Sequence, residues 1–491
     1  MSRLLRFLMW LLLTALVVWV VVIGYWKIVG VRPDVRALVL YLGVLPLGTF
    51  AVLALLKHGL ANARSKASNA QADSLDAAGD DAATGGDAPA GEPATPVGIL
   101  ASAMQLPAGS DVASVLGAIG TPAAPQLHQK LKDGSGYPVF ASWIDDVDTD
   151  AVMQAFEAAG GKDADIRRLP EEQLRAFGLM LPVTQDLLAE VVAEDWLAAP
   201  LPSVSGGRST APPPARLQAS ILLPSDWPSA IRELAVAWFV EEARAAGILA
   251  GQLVAEVIPA SGSDEVWRHL SKIALPSSPP SPAPVLHLVL ACHSQLGERS
   301  VQRLDQAGQL LSAMRSEGIV PGEGAAGVLL LAADADGGFA LPPKAVLRAH
   351  ATMRQGVSWQ PRTAVQQMED LFGQVLARAP GATSDEVKAM VSDADLRKSR
   401  ATAVAGFMDR ALEHLDPESD CMATGSSCGH AGIVSPLSLI ALAAERAAAN
   451  DQPVLAVAVA EPDQRTIALV SPPESPAADE TAESSSNPQA T

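Results

Sequence analysis

The side chains best able to do chemistry in this chain are three cysteines and the histidines near them. Cys292 and His293 are neighbours at the end of an apolar run that is typical of a buried strand. A Cys–His dyad needs both side chains on the same side of the backbone, whereas neighbouring residues of a strand point to opposite faces. The spacing therefore argues against a nucleophilic Cys292–His293 pair.

The other two cysteines lie close to His430, as zinc ligands often do. Six residues separate Cys421 from Cys428, and His430 follows two positions later. Structural zinc sites favour cysteines separated by about two to four residues and need four ligands. No fourth ligand is evident, so we expect neither a metal nor a cofactor.

Two further classes of site are disfavoured by the sequence. The acidic stretch DDVDTD lacks the central glycine and the terminal glutamate of a calcium loop, so we expect a solvated turn; its carboxylates are Asp145, Asp146, Asp148 and Asp150. No P-loop or dinucleotide-binding fingerprint occurs. The formal net charge of −19 over 491 residues also argues against nucleic-acid binding.

The elements that must position such residues are organised around residues 285–332. This stretch opens with an apolar run typical of a strand that is buried on both faces. Helical spacing of apolar residues then predicts an amphipathic helix within residues 295–314. The residues with this spacing are Leu304, Ala307, Leu310, Leu311 and Met314. A glycine-rich turn follows and leads into a second buried strand; its residues are Gly322, Glu323, Gly324 and Gly327.

Similar alternation of apolar strands and amphipathic helices continues over residues 96–470. It predicts an α/β fold with largely parallel sheets between helical layers.

The glycine turn carries a family resemblance. The sequence Pro321–Leu330, PGEGAAGVLL, is similar to the PGEGAAALLL-type strand of the β-ketoacyl synthases, which belong to the thiolase-like superfamily. As in that family, a strand and a helix precede it. The resemblance implies two similar βα halves related by a pseudo-twofold axis, here residues 96–341 and 342–471. It also implies that the glycine turn serves architecture more than chemistry.

The same resemblance implies where a nucleophile should lie. The condensing enzymes use a cysteine thiolate at a strand-to-helix elbow, where the helix N-terminus lowers the thiol pKa. The corresponding segment, Val254–Ile273, contains no cysteine, and the nucleophile's place falls near Ser261. A serine without a dedicated base is a poor nucleophile, so we favour a turn and helix N-cap at Ser261 over a catalytic serine.

The family also uses two histidines from its C-terminal half. The first should follow a strand ending at Ser392, but Ser392–Asp395 contains no histidine. The second corresponds to His430, which lies between Gly429 and Gly432. We interpret His430 as a side chain at the mouth of the pocket, packed closely through the two glycines, rather than as a remnant catalytic histidine. Without the cysteine and one histidine, we expect no condensing activity.

Two apolar segments at the N-terminus predict a membrane hairpin. Phe7–Trp26 is uncharged and as long as a bilayer core requires, roughly 20 residues, and Ala37–Leu56 follows after a short loop. The first segment is too long for a signal peptide and lacks a small-residue cleavage site. Basic residues are more numerous around the hairpin than within its loop, which predicts that both ends are cytoplasmic. Three cysteines without a disulfide framework agree with a reducing compartment.

The chain is thus expected to have five regions. They are a transmembrane hairpin at 1–60, a disordered linker at 61–95, thiolase-like halves at 96–341 and 342–471, and a disordered tail at 472–491.

These features together predict a bacterial inner-membrane protein that binds a partner and does no chemistry. A membrane hairpin joined to a divergent ketosynthase-like domain resembles uncharacterised membrane proteins associated with type VI secretion. That resemblance implies a membrane complex of this apparatus as the partner, with residues 7–56 in the lipid bilayer. The thiolase-like resemblance also implies a homodimer, since such domains commonly pair through a shared sheet edge. The alternative is a membrane-tethered acyltransferase or acyl-thioester-binding protein that uses Ser261 or His430.

Overall fold

The computed structural model describes residues 94–118, 125–197, 215–275, 284–333 and 338–473, with the side chains of 163 and 164 excepted. The chain divides into two units, and every described residue belongs to the second, Gly86–Thr491. The predicted membrane hairpin, nearly all of the predicted linker and all but the first two residues of the predicted tail lie outside the described residues.

The described part of the chain contains twelve strands. They are β1 (Val97–Gln105), β2 (Gln126–Lys132), β3 (Pro138–Ala141), β4 (Arg216–Pro224), β5 (Leu253–Ala260), β6 (Val285–Ser294), β7 (Glu323–Ala332), β8 (Ala345–Met353), β9 (Ala389–Ser392), β10 (Cys421–Ala423), β11 (Val454–Ala458) and β12 (Arg465–Ser471). β2 and β3 form a separate hairpin, and the other strands form one sheet.

Helices fill the connections between the strands. They are α1 (Val112–Ala118), α2 (Thr149–Ala158), α3 (Asp163–Ile166), α4 (Glu171–Ala193), α5 (Ser229–Ala245), α6 (Ser263–Ile273), α7 (Glu298–Gln306), α8 (Pro361–Arg378), α9 (Lys398–Ala411), α10 (Gly425–Cys428) and α11 (Ser435–Asn450). Short 3-10 turns occur at Ala250–Gln252, Ser384–Glu386 and Gly432–Val434.

The large sheet consists of the same five-strand pattern twice. Its order is β5-β4-β6-β7-β1 followed by β8-β12-β11-β9-β10. In the first set β4 is parallel to β5 and β6, whereas β7 is antiparallel to β6 and β1. In the second set β9 is parallel to β10 and β11, whereas β12 is antiparallel to β11 and β8. The two sets meet where β1 pairs with β8, Val97 opposite Leu347. Order and polarity therefore repeat strand by strand.

Helices cover the sheet in layers. Buried faces of α6 and α11 share one apolar cluster with strands of both halves, so these two helices form a central layer. The helices α4 and α5 cover the other face of the first half, and α8 and α9 that of the second. β7 is buried along nearly its whole length, as a strand covered on both faces must be.

The sheet is mixed, so the prediction of largely parallel sheets was wrong. Among the described strands of the large sheet, four neighbouring pairs are parallel and five are antiparallel. The apolar runs of β7 and β12 gave no sign of direction, because burial on both faces produces the same run in either orientation.

Two described helices are long and apolar enough to cross a membrane by length and composition. They are Glu171–Ala193, which is α4, and Gly432–Asn450, which contains α11. Half of the apolar window of the first and 78% of that of the second are buried inside the domain. Both helices pack against the sheet, so their apolar character is explained by the core.

Candidate functional site

The glycine turn before β7 contacts the loop that carries His430. The backbone N–H of His430 donates to the Val320 carbonyl at 2.9 Å. A Cβ on Gly322 would lie 2.3 Å from the carbonyl oxygen of Cys428, so only glycine allows this approach. The motif at the end of the first half is therefore joined to the loop between α10 and α11 of the second half.

Glu323 in this turn is fully buried and makes structural bonds. Its carboxylate forms an ion pair with Arg175 of α4, accepts a hydrogen bond from Ile144 N at 2.9 Å and accepts another from Ser294 Oγ at 3.0 Å. These partners tie α4 and the end of β6 to β7. Gly324 and Gly327 are close-packed against neighbouring side chains.

His430 lies at the meeting point of the two halves and is 8% exposed. Its Nδ1 is 3.2 Å from Gln295 Nε2, just after β6. Its Nε2 is 3.7 Å from Glu461 Oε1, in the turn between β11 and β12, which is an ion-pair distance rather than a hydrogen bond. Ser261 is not among the polar partners of this side chain within the described part of the chain.

His430 and Glu461 stabilise each other's charged forms. Burial by itself lowers the pKa of His430, but the Glu461 carboxylate outweighs this effect and raises that pKa above its ordinary value. Burial by itself raises the pKa of Glu461, and its contact with His430 and a backbone N–H of Ser263 outweigh it, so that pKa is lowered. Each side chain therefore favours the charged form of the other.

The Glu461 carboxylate reaches the N-terminus of α6, the helix of the elbow. Its Oε1 lies 3.8 Å from the place of a Cβ on Gly262, which is the N-cap of this helix. A helix N-terminus favours a negative charge, as the thiolate of a condensing enzyme would be. Here the chain's own carboxylate occupies that position.

Ser261 is exposed, and its hydroxyl is bonded to a residue outside this ion pair. Its hydroxyl donates to Glu265 Oε1 at 2.5 Å, and the other oxygen of that carboxylate accepts from Gly262 N at 3.1 Å. The helix begins at Ser263 and its N-cap is Gly262, so Ser261 lies one residue before the cap. A hydroxyl bonded to a carboxylate four residues later is held by its own helix.

The loop after β9 brings a carboxylate where the family resemblance implies a histidine. Asp393 is 5% exposed and accepts from the backbone N–H groups of Val459, at 2.6 Å, and Ala460, at 3.0 Å. Its other oxygen accepts from Ser435 Oγ at 2.8 Å. Burial raises the pKa of this carboxyl group. Asp393 thus fixes the turn that carries Glu461.

The cysteines show no sign of reactivity or metal binding. Burial raises the pKa of Cys292 strongly, and those of Cys421 and Cys428 to about 11. Among the described residues no group of three or more His, Cys, Asp and Glu side chains is arranged to hold a metal ion.

The acidic stretch at 145–150 has local structural roles. Asp148 caps α2 by accepting from Ala151 N at 2.8 Å, and Asp145 accepts from the Trp143 indole at 2.7 Å.

Comparison with solved structures identifies the architecture. An oxazolomycin ketosynthase domain from Streptomyces albus matches 78% of this chain and 75% of its own, with 14% identity and a TM-score of 0.51. The ketosynthase from module 6 of the bacillaene synthase of Bacillus subtilis 168 matches 77% and 72%, with 10% identity and a TM-score of 0.51. The chain has a thiolase-like fold. This confirms the fold that the glycine turn predicted.

Identity this low establishes the thiolase-like fold alone. No protein-family profile matches the chain, and no curated protein does.

Sequence reasoning missed the residues that surround His430 in this thiolase-like fold. Glu461 and Gln295 were not predicted, and Asp393 was noted only because it is not a histidine. Gln295 and Asp393 follow directly after buried strands, and Glu461 lies in the turn after another, at the carboxyl ends where α/β sheets collect polar groups. A polar residue after a predicted strand could therefore have been proposed as a site residue from the sequence. The sequence does not show, however, which strands are neighbours.

Proposed function

We propose that this chain is a catalytically silent thiolase-like protein that works as a binding or scaffold component. One observation carries the proposal: the Glu461 carboxylate lies at the N-terminus of α6 and is paired with His430. A condensing reaction needs that helix terminus for a thiolate and needs a free histidine for the acyl carbonyl. In this chain both are used by an internal ion pair.

Ser261 also lacks what nucleophilic catalysis requires. An activated serine needs a base that removes its proton in the direction of the substrate. The partner of Ser261 is Glu265, in the first turn of the helix that follows it. This supports the binding function over the alternative of an acyltransferase.

The test is intact-protein mass spectrometry of the full-length chain after incubation with acyl-coenzyme A and acyl-carrier thioesters. We expect no covalent adduct and no thioester consumption above the rate of a denatured control. An acyl adduct on the wild type that is absent from Ser261→Ala would overturn the proposal and establish the acyltransferase. Non-covalent retention of an acyl thioester, lost in His430→Ala, would establish an acyl-thioester-binding protein instead.

We further propose that the protein is anchored in a bacterial inner membrane by residues 7–56, with the thiolase-like domain in the cytoplasm. The length of the two apolar segments and the surrounding basic residues support this proposal. The partner we propose is a membrane complex of the type VI secretion apparatus, on the basis of the family resemblance. A flexible linker at 61–95 would let the domain reach such a partner.

A further inference from the structure

The hairpin of β2 and β3 has one covered face and one open face. Leu131, Val139 and Ala141 are buried, and they pack with apolar residues of α7 and of the segment that follows it. A hydrogen bond of 2.9 Å from Gly134 N to Asp305 Oδ2 joins the turn of the hairpin to α7. Successive residues of a strand point to opposite faces, so the residues between the buried ones face outward. The domain thus holds the hairpin by its inner face and presents the outer face.

The outer face is apolar, although nothing within the described part of the chain covers it. Leu127 and Phe140 lie opposite each other across the two strands and are 52% and 43% exposed. Lys132 lies opposite Pro138 on the same face, and Tyr137 is exposed at the turn. Three of the nine exposed large apolar side chains in the described part of the chain therefore lie on this one hairpin. Scattered apolar residues on a surface are ordinary, whereas a cluster marks an interaction surface.

The charge of the hairpin is opposite to that of the chain as a whole. The chain has a formal net charge of −19, whereas the two strands contain Lys130 and Lys132 and no carboxylate. Asp133, which follows β2, accepts from the backbone N–H groups of Ser135 and Tyr137 at 2.9 Å each. Lysines beside exposed aliphatic and aromatic side chains are complementary to anionic lipid headgroups above an acyl layer.

The linker and the tail of this chain offer no apolar partner for this face. Residues 61–93 contain a single large apolar residue, Leu75, and residues 474–491 contain none. The chain does carry two apolar segments of bilayer length, Phe7–Trp26 and Ala37–Leu56. A linker of this length has an average span of about 30 Å, which keeps the domain beside the bilayer and gives the lipid a high effective concentration. A small surface is then sufficient for docking.

We propose that the outer face of the β2–β3 hairpin docks on the anionic lipid surface of the membrane that anchors the chain. Leu127 and Phe140 enter the headgroup region, Tyr137 lies at the interface, and the lysines contact lipid phosphates. This inference rests on the proposed membrane anchoring. Docking gives a flexibly tethered domain a fixed orientation towards the membrane, as a scaffold for a membrane complex requires.

The test is quenching of a fluorescent label by nitroxide-labelled lipids, with the full-length protein in vesicles. The label is attached at Gln129→Cys on β2, and Glu418→Cys, in the exposed turn before β10, is the control position. Wild-type protein treated with the same label gives the background from the three natural cysteines, which are buried or half-buried. The vesicles consist of phosphatidylcholine alone or of phosphatidylcholine and phosphatidylglycerol in equal amounts. We expect stronger quenching at position 129 than at 418, most of all with phosphatidylglycerol.

Substitutions added to Gln129→Cys separate the apolar contact from the charge. Phe140→Glu should reduce quenching to the level of the control position in both kinds of vesicle, because a carboxylate opposes entry into the headgroup region. Leu249→Glu, a similar change at another exposed apolar residue, should leave it unchanged. Lys132→Gln should lower the ratio of docked to undocked protein by about fivefold with phosphatidylglycerol and leave it unchanged without it. This variant alters only an exposed side chain, so it keeps the test valid if Phe140→Glu does not fold.

Flotation of the same samples separates this inference from the anchoring on which it rests. Protein that floats with the vesicles but is quenched equally at both positions would overturn the docking and leave the anchoring intact. A face that binds an acidic protein in place of lipid would give this same outcome. Protein that does not float would overturn both proposals. Equal quenching of the wild-type hairpin and Lys132→Gln with phosphatidylglycerol would exclude the anionic lipid surface as the partner.

Discussion

At the scale of single residues, His430 and Glu461 form a buried ion pair where the two halves meet. The two side chains come from loops before α11 and after β11 and are held by Gln295 and the start of α6. A buried ion pair adds little stability over an apolar pair of the same shape. Removal of one partner, however, leaves the other charge buried without a counter-charge. The pair therefore makes the stability of the domain depend on pH.

The direction of this pH dependence follows from the two pKa shifts. The pKa of His430 is raised, so its contribution is complete below its ordinary value of 6.5 and is lost as pH rises through the raised value. The pKa of Glu461 is lowered, so its contribution is complete above 4.5 and is lost as pH falls through the lowered value. Glu461→Gln should cost about 3 kcal/mol of unfolding free energy near pH 6, because it leaves His430 buried without its counter-charge.

Urea unfolding of the full-length protein at about pH 6 and about pH 9 measures this effect. The difference between the wild type and Glu461→Gln should shrink at the higher pH, because a smaller fraction of His430 is protonated there. Glu418→Gln, an exposed carboxylate, is the matched control and should behave like the wild type. A loss of equal size at both values would show that the ion pair is not the cause.

At the scale of elements, the sequence predicted one helix that is too long. The helix predicted within 295–314 ends as α7 at Gln306, since Gly308 adopts a left-handed φ of 69°. Gln309 N then donates to Leu304 O, and Gly308 N to Asp305 O, which closes the helix. Met314, placed on its apolar face by the predicted spacing, is 93% exposed.

The edge strand β5 leads to a prediction about association. It pairs with β4 only among the described strands, and Val254 at its outer end is 59% exposed. An unpaired edge with apolar side chains is a template for pairing with another strand. We therefore expect a homodimer in which two β5 strands pair, as the family resemblance implies.

Light scattering coupled to size-exclusion chromatography of the full-length protein tests this expectation. Val254→Lys should weaken the dimer by about tenfold or more, because a charge on the edge opposes strand pairing. Val192→Lys, at a 42% exposed position of α4, is the control and should leave the dimer intact. A monomeric wild type, or a dimer insensitive to Val254→Lys, would exclude pairing through β5.

At the scale of the whole molecule, the repeated five-strand pattern explains why the site lies where the halves meet. The loops after β9 and β11, the loop before α11 and the start of α6 all reach the same place. Its counterpart in the first half remains a cavity. The two halves thus share one architecture, but side chains fill this position in the second half and a cavity remains in the first.

The proposed anchoring is a property of the full chain and is tested on it. After expression in a Gram-negative host, we expect the full-length protein to remain in membranes washed with alkaline carbonate. A variant lacking residues 1–60 should be released, because no apolar hairpin then holds it in the bilayer. Protease added outside intact spheroplasts should leave the thiolase-like domain uncut. Digestion of the domain by this external protease would show that the proposed orientation is wrong. Release of the full-length protein by carbonate would exclude the membrane anchor.

The amino-acid sequence by itself determined the α/β class and the thiolase-like fold. Both follow from short stretches of the sequence, namely the apolar periodicity of single elements and the contiguous motif Pro321–Leu330. The absence of a cysteine from the elbow segment, Val254–Ile273, was likewise evident from the sequence alone.

Only the tertiary structure decided what occupies the site. Glu461, Gln295 and Asp393 are far apart in the chain and meet because strand order and polarity bring their loops together. Local patterns do not encode which strands are neighbours, since burial on both faces gives the same apolar run at any place in a sheet. The ion pair at the start of α6 and the cavity beside β4 and β6 therefore appear only in the folded chain.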